Sequence, residues 1–230
     1  MADDDQFVIQ QLGALNAGAI DPTLKGKLNL DTIGVIGHSV GGATAYNMAT
    51  RDSRVKAAID LDGTVYVTPA NAQVIAPLLM LANDKYHVQA IQNRQSLMEK
   101  FDDTPEGQQM LRDFYGSKAA YDEQYRKAQH NIDGLADVLQ GSGELYTITG
   151  SDHMKFTDIG LFFGNRWLRD LLKIEGATDP ARCLTIAQAL TVAFFDQHLK
   201  GANSNALESV LQAYPELKKV PVKERGNPTP

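Results

Sequence analysis

The run Ile33–Ala45, IGVIGHSVGGATA, constrains this chain more than any other stretch of it. It opens as a short apolar, partly β-branched strand, of the kind buried on both faces of a parallel sheet. It then turns through Gly37-His38-Ser39-Val40-Gly41 and enters a helix from about Val40 to Thr50. A G-x-S-x-G pattern between a strand and a helix sets its serine on a sharp corner, with the oxygen clear of the sheet. Small residues on both flanks let the backbone turn and let the helix pack close to the neighbouring strands. The helix N-terminus behind Ser39 supplies backbone N–H groups and a partial positive charge, and it places the Val40 N–H to donate to an oxyanion. A plainer reading is a glycine-rich turn whose serine caps the helix.

The rest of the chain supplies partners for that strand. RVKAAIDLDG (54–63), APLLMLAN (76–83) and ELYTITG (144–150) read as further strands. Helices are expected over 3–17, 88–101, 106–115, 118–139, 156–173 and 182–201, with one more in the tail after Ala202 before a frayed NPTP end. Phe7, Ile9, Leu12 and Leu15 give the first helix its apolar spacing. Strands alternating with helices predict an α/β class: a parallel sheet of about four strands, flanked by helices. With 230 residues, 43% of them hydrophobic, we expect a single domain over 1–230. Residues 85–143 form a helical insertion or cap before the last strand. There Met98, Phe101, Met110, Leu111, Phe114, Tyr115, Tyr121 and Tyr125 either line an acyl or alcohol pocket or are the buried faces of ordinary helices.

Several classes are disfavoured. A net charge of −6 argues against a nucleic-acid or anionic-membrane surface. The lone Cys183 excludes an intrachain disulfide framework and a cysteine-based zinc site. No apolar run reaches the roughly 18 residues of a membrane span. The glycine pattern lacks the lysine of a phosphate-binding loop. No metal or cofactor is expected. The acidic opening MADDDQF is unlike a signal peptide, so the default location is cytoplasmic, or secreted if an upstream segment was removed.

A serine nucleophile needs a base, and the base needs an orienting acid. His38 adjoins the serine, but adjacent side chains diverge on a tight elbow, so it reads as a packing or hydrogen-bonding residue. His87 and His130 fall in the helical stretch and are expected at the surface. His198 lies near a helix C-terminus, where a partly exposed cation is favoured. His153, in TGSDHMKF after the fourth strand, shares the carboxyl rim of the sheet with Ser39. Asp62 and Asp84 end the two strands after the elbow, and position alone leaves both open as the acid. Asp60 should point to the other face from a neighbour, which makes it a weaker candidate, and Asp152 is too near His153 in sequence to orient its ring.

The stretches LDTIGVIGHSVGGATA, VKAAIDLDGTVY, ITGSDHMKFTD and AFFDQHLKG resemble the α/β-hydrolase superfamily. Within it they are most similar to platelet-activating-factor acetylhydrolase-like and dienelactone-hydrolase-like serine esterases. The resemblance implies an esterase, lipase-like in its chemistry, with Ser39 as nucleophile, His153 as base and Asp62 in its L-D context as acid, Asp84 being the runner-up. It also implies strands ahead of the elbow, whereas only one helix and a loop precede it here. TIGVIG should therefore be an open apolar edge. The expected partner is a small ester and, along that edge, a second copy of the chain in a homodimer or larger oligomer. The alternative is a non-catalytic subunit, or half-enzyme, whose site a partner chain completes.

Overall fold

Four strands lie side by side in the order in which they occur in the chain. In the computed structural model, which describes residues 1–65, 76–162, 167, 177–202 and 205–224, β1 (Ile33–His38), β2 (Val55–Leu61), β3 (Leu78–Asn83) and β4 (Gly143–Ile148) are parallel. A fifth strand, β5 (Leu217–Lys219), runs antiparallel on β4. It corrects the sequence reading, which gave the tail only a helix. Only Leu217 of β5 is buried, so the segment carries almost no strand signal of its own, and β4's free edge recruits it.

Eight helices are described: α1 (Ala2–Asn16), α2 (Val40–Arg51), α3 (His87–Gln92), α4 (Pro105–Tyr115), α5 (Lys118–Gly141), α6 (Ile159–Phe162), α7 (Pro180–Leu199) and α8 (Ala206–Ala213). They cover both faces of the sheet, and the period-two alternation of the strands shows why. Leu78, Met80 and Ala82 of β3 pack with Met48 of α2, Ile91 of α3 and Leu135 of α5. Leu79 and Leu81 pack on the other side with Ile186, Leu190 and Phe194 of α7. A strand buried on both faces must be apolar throughout, which makes β3 an unbroken hydrophobic run.

The expected helix over 156–173 is a single turn at His153–Phe156 followed by the short α6; residues 163–166 and 168–173 of that expectation lie outside the described residues. No described helix is long and apolar enough to cross a membrane. α1 buries only Ile9, and Phe7 stands 59% exposed because the helix rests on α2 with no sheet beneath it. His198 also departs from expectation: its ring lies 4.5 Å from that of Phe194, and burial lowers its pKa, so a cation is disfavoured there.

Of the residues proposed for a pocket, Met98 lines a cavity beside His87. Phe101, Tyr115 and Tyr121 stack edge-on against one another, with centroids 5.2–6.0 Å apart, and Tyr125 continues the group. Leu111 is buried, whereas Met110 and Phe114 face solvent.

Among the described residues β1 lies at the edge of the sheet, as the sequence predicts, with Ile36 46% exposed. At the far side, Arg94 ties three segments together. Its guanidinium donates to Lys223 O, Asp133 O, Asp137 Oδ1 and Gln140 Oε1, and its side chain is nine-tenths buried. Arg94→Ala should lower the stability to urea by about 2 kcal/mol, since it strands several carbonyl and carboxylate acceptors at once. Equilibrium unfolding checks this, and a loss below about 0.5 kcal/mol would refute it.

Candidate active site

Ser39 has φ 58° and ψ −121°, a left-handed conformation that an L-residue adopts only under constraint. The corner is locked by Ser39 N donating to Leu61 O at 2.9 Å and by Ala43 N donating to Ser39 O at 3.1 Å. The Ser39 hydroxyl makes no capping bond to α2 and no other hydrogen bond among the described residues. That removes the helix-cap explanation for the serine. Val40 begins α2 directly behind it.

Asp60 explains part of the packing beneath the corner. It is fully buried; its Oδ1 accepts from Gly63 N at 2.6 Å, and its Oδ2 has no hydrogen-bond partner. Burial pushes this carboxyl well above its ordinary range, against the opposing hydrogen bond from Gly63 N.

Asp62 itself, with φ 56°, ends β2 and turns into a nest of donors. His153 Nδ1 lies 2.6 Å from its Oδ2, and His87 Nδ1 lies 2.7 Å from its Oδ1. The Asn83 backbone N–H donates to Oδ1 at 2.8 Å, and the Asn83 side-chain amide reaches Oδ2 at 2.8 Å. Burial would raise this carboxyl, but the bonds from His153, His87 and Asn83 outweigh it and hold the group far below the usual range. The ionised carboxylate in turn raises the pKa of His153, against a smaller opposing effect of burial.

His153 is held by its loop. Gly150 N donates to Asp84 Oδ2 at 2.9 Å, and Asp84 N donates to Ser151 Oγ at 3.1 Å, which fastens the end of β4 to that of β3. Asp152 caps the turn by accepting from Met154 N, and the buried Lys155 ammonium donates to Thr178 O at 2.6 Å. His38 Nε2 meets the His153 carbonyl at 2.9 Å, and the two rings lie 4.5 Å apart. A carbonyl only accepts, so His38 carries its proton on Nε2; burial lowers its pKa and keeps it neutral. The Ser39 corner and His153 are thus joined through the side chain next to the serine. The structure brings Asp62, not Asp84, to His153.

His87 corrects the surface placement expected for it: it is 4% exposed. The cause is local. Asn83 Oδ1 accepts from Lys85 N and Tyr86 N, which winds the chain around the carboxyl end of β3 and swings the first residue of α3 over Asp62. The available signal was an asparagine ending a rim strand with a histidine four residues on. Among the described residues, no group of three or more His, Cys, Asp or Glu side chains could hold a metal ion.

Residues 14–213 match the family model described as platelet-activating factor acetylhydrolase, isoform II. The chain belongs to that family. Its fold is shared with a ferulic acid esterase from Streptomyces cinnamoneus, at a TM-score of 0.59 and 24% identity. The alignment covers 95% of this chain and 53% of the esterase, so the chain spans about half the length of that protein. No curated protein matches it. The fold is therefore a reduced α/β-hydrolase sheet, as the sequence implies.

Proposed function

We propose that the chain is a serine hydrolase that cleaves carboxylic esters through Ser39, His153 and Asp62. The observation that carries this reading is the 2.6 Å Asp62–His153 contact beside a strained serine whose hydroxyl has no structural duty. Asp62 accepts from Nδ1–H, which fixes the imidazole tautomer and leaves the lone pair on Nε2. Nε2 takes the Ser39 proton as Oγ attacks the ester carbonyl, and the Val40 N–H receives the developing oxyanion. The imidazolium then protonates the leaving alcohol, and an acyl group remains on Ser39. Water, deprotonated by the same Nε2, attacks that acyl group, and the acid and the serine hydroxyl are released. No step calls for a metal or cofactor. The family description favours short acyl groups, and the esterase of shared fold extends the candidates to aryl acyl esters.

The test is hydrolysis of 4-nitrophenyl acetate and butyrate by the 230-residue chain beside Ser39→Ala. We expect activity that disappears with the hydroxyl, and an organophosphate that blocks the wild type by modifying Ser39 alone. Equal rates in chain and variant would exclude the mechanism.

The open β1 edge favours a second element of the proposal: a second copy pairs along it, or a partner chain completes the site as in a half-enzyme. Light scattering at micromolar concentration should show a dimer or larger species; a monodisperse monomer would exclude self-pairing.

A further inference from the structure

A cavity of about 480 Å³ opens off the carboxyl ends of β2 and β3, on the His87 side of Asp62. Its walls are mostly apolar: Val65, Leu97, Met98, Ile132 and Leu135 contribute, the last two from one face of α5. Neither Ser39 nor His153 lines it. His87 does, with a side chain only 5% exposed. The Nδ1 of His87 is committed to Asp62 at 2.7 Å, and its Nε2 has no hydrogen-bond partner among the described residues. Thr64, Ser96, Gln124 and Asn131 also line the cavity, and a mostly apolar cavity with a few polar groups is the usual form of a small-molecule site.

We propose that this cavity is a second binding site, for an apolar alcohol or phenol whose hydroxyl donates to His87 Nε2. The tautomer fixes the ligand class. An ionised Asp62 only accepts, so His87 carries its proton on Nδ1 and offers a lone pair at Nε2 when neutral. A hydroxyl can satisfy that lone pair, whereas a carbonyl or ether oxygen cannot. The hydrocarbon body of the ligand fills the space between α5 and the loop that carries Leu97 and Met98. Binding at this site stands without the catalytic reading. Its effect on rate rests on that reading: a donor on Nε2 strengthens the His87 Nδ1–H bond to Asp62, draws charge from the carboxylate and makes His153 a weaker base. The ligand should therefore lower kcat without competing with the ester.

The experiment uses the full chain with its histidines labelled in ¹⁵N, titrated with 4-ethylphenol and, separately, with ethylbenzene, which lacks the hydroxyl. The His87 signals are assigned by their loss in His87→Gln. A saturable shift of the His87 Nε2 resonance, at least about tenfold tighter for the phenol, is the expected result, since one hydrogen bond is worth about that factor. Ala128→Phe, which projects a ring into the cavity from a half-buried position on α5, should abolish the shift while His153 remains visible. Absence of a saturable shift with 4-ethylphenol overturns the proposal. Equal binding of both probes overturns the role of His87. The wild-type titrations decide the matter even if Ala128→Phe fails to fold. Because the readout is a resonance and not a turnover, a result against this site leaves the Ser39→Ala test of catalysis untouched.

Discussion

Asp62→Asn should lower kcat for 4-nitrophenyl acetate by about 10⁴-fold while the chain stays folded. The asparagine has nearly the shape of the aspartate, so packing against β3 survives, but one of its two polar atoms becomes a donor. It then faces an imidazole N–H at either His153 or His87, and one ring must turn over or present its other nitrogen. At His153 that puts the proton on the nitrogen that should receive the Ser39 hydrogen. The residual activity should show a changed pH profile. Wild-type hydrolysis needs neutral His153, so the rate rises with pH through the raised pKa of that residue, above the ordinary 6.5. Without the carboxylate the limb moves down. Stability runs the other way. The raised His153 pKa contributes stability that is complete below 6.5 and is lost as pH climbs through the folded value. The lowered Asp62 pKa contributes stability that is present above 3.8 and is lost as pH falls through its folded value. Stopped assays from pH 5 to 9, paired with thermal melts, read both effects. A wild-type acid limb that Asp62→Asn leaves in place would show that His153 is not the group being titrated.

How much of this could be read in the sequence depends on what fixes each element. β3 and the Ser39 corner were legible because their causes are local: an unbroken apolar run and a glycine-flanked turn between a strand and a helix. Position alone left Asp62 and Asp84 open, since both end adjacent parallel strands on one rim, and it was the family resemblance of the L-D context that favoured Asp62. Only the tertiary pairing sends one carboxylate to His153 and the other to the Gly150 backbone. His87 was lost to the same limit. It sits at the start of a six-residue helix, too short for periodicity to show which way it faces, and the Asn83 turn orients it. β5 depends wholly on the edge offered by β4. The aromatic residues of 101–125 were recognisable as a group, but sequence could not show that they pack on one another instead of lining a pocket.

The glycines of the corner give the second large effect, and they divide in a way the motif does not announce. A methyl on Gly37 would lie 2.2 Å from the carbonyl carbon and oxygen of Gly41. Those are backbone atoms locked into the first turn of α2, so neither can yield without opening the elbow. A methyl on Gly42 would lie 2.1 Å from the buried Asp60 Oδ1 and 3.0 Å from Gly37 O. A methyl on Gly41 would meet nothing within 4 Å. Gly37→Ala should therefore cost more than about 4 kcal/mol and take ester hydrolysis with it, as overpacking against rigid backbone does. Gly41→Ala should stay within about 1 kcal/mol of wild type, on the stable side, because alanine is the better helix former. Thermal melts of the two variants side by side make the comparison. If Gly41→Ala proves the more damaging, the close approach of strand to helix is not what the corner requires, and the glycines serve the approach of substrate instead. The expected ranking would mean that the strain at Ser39 is maintained by the tight seat of α2 on β1, which is how a fold holds a reactive hydroxyl where no local preference would put it.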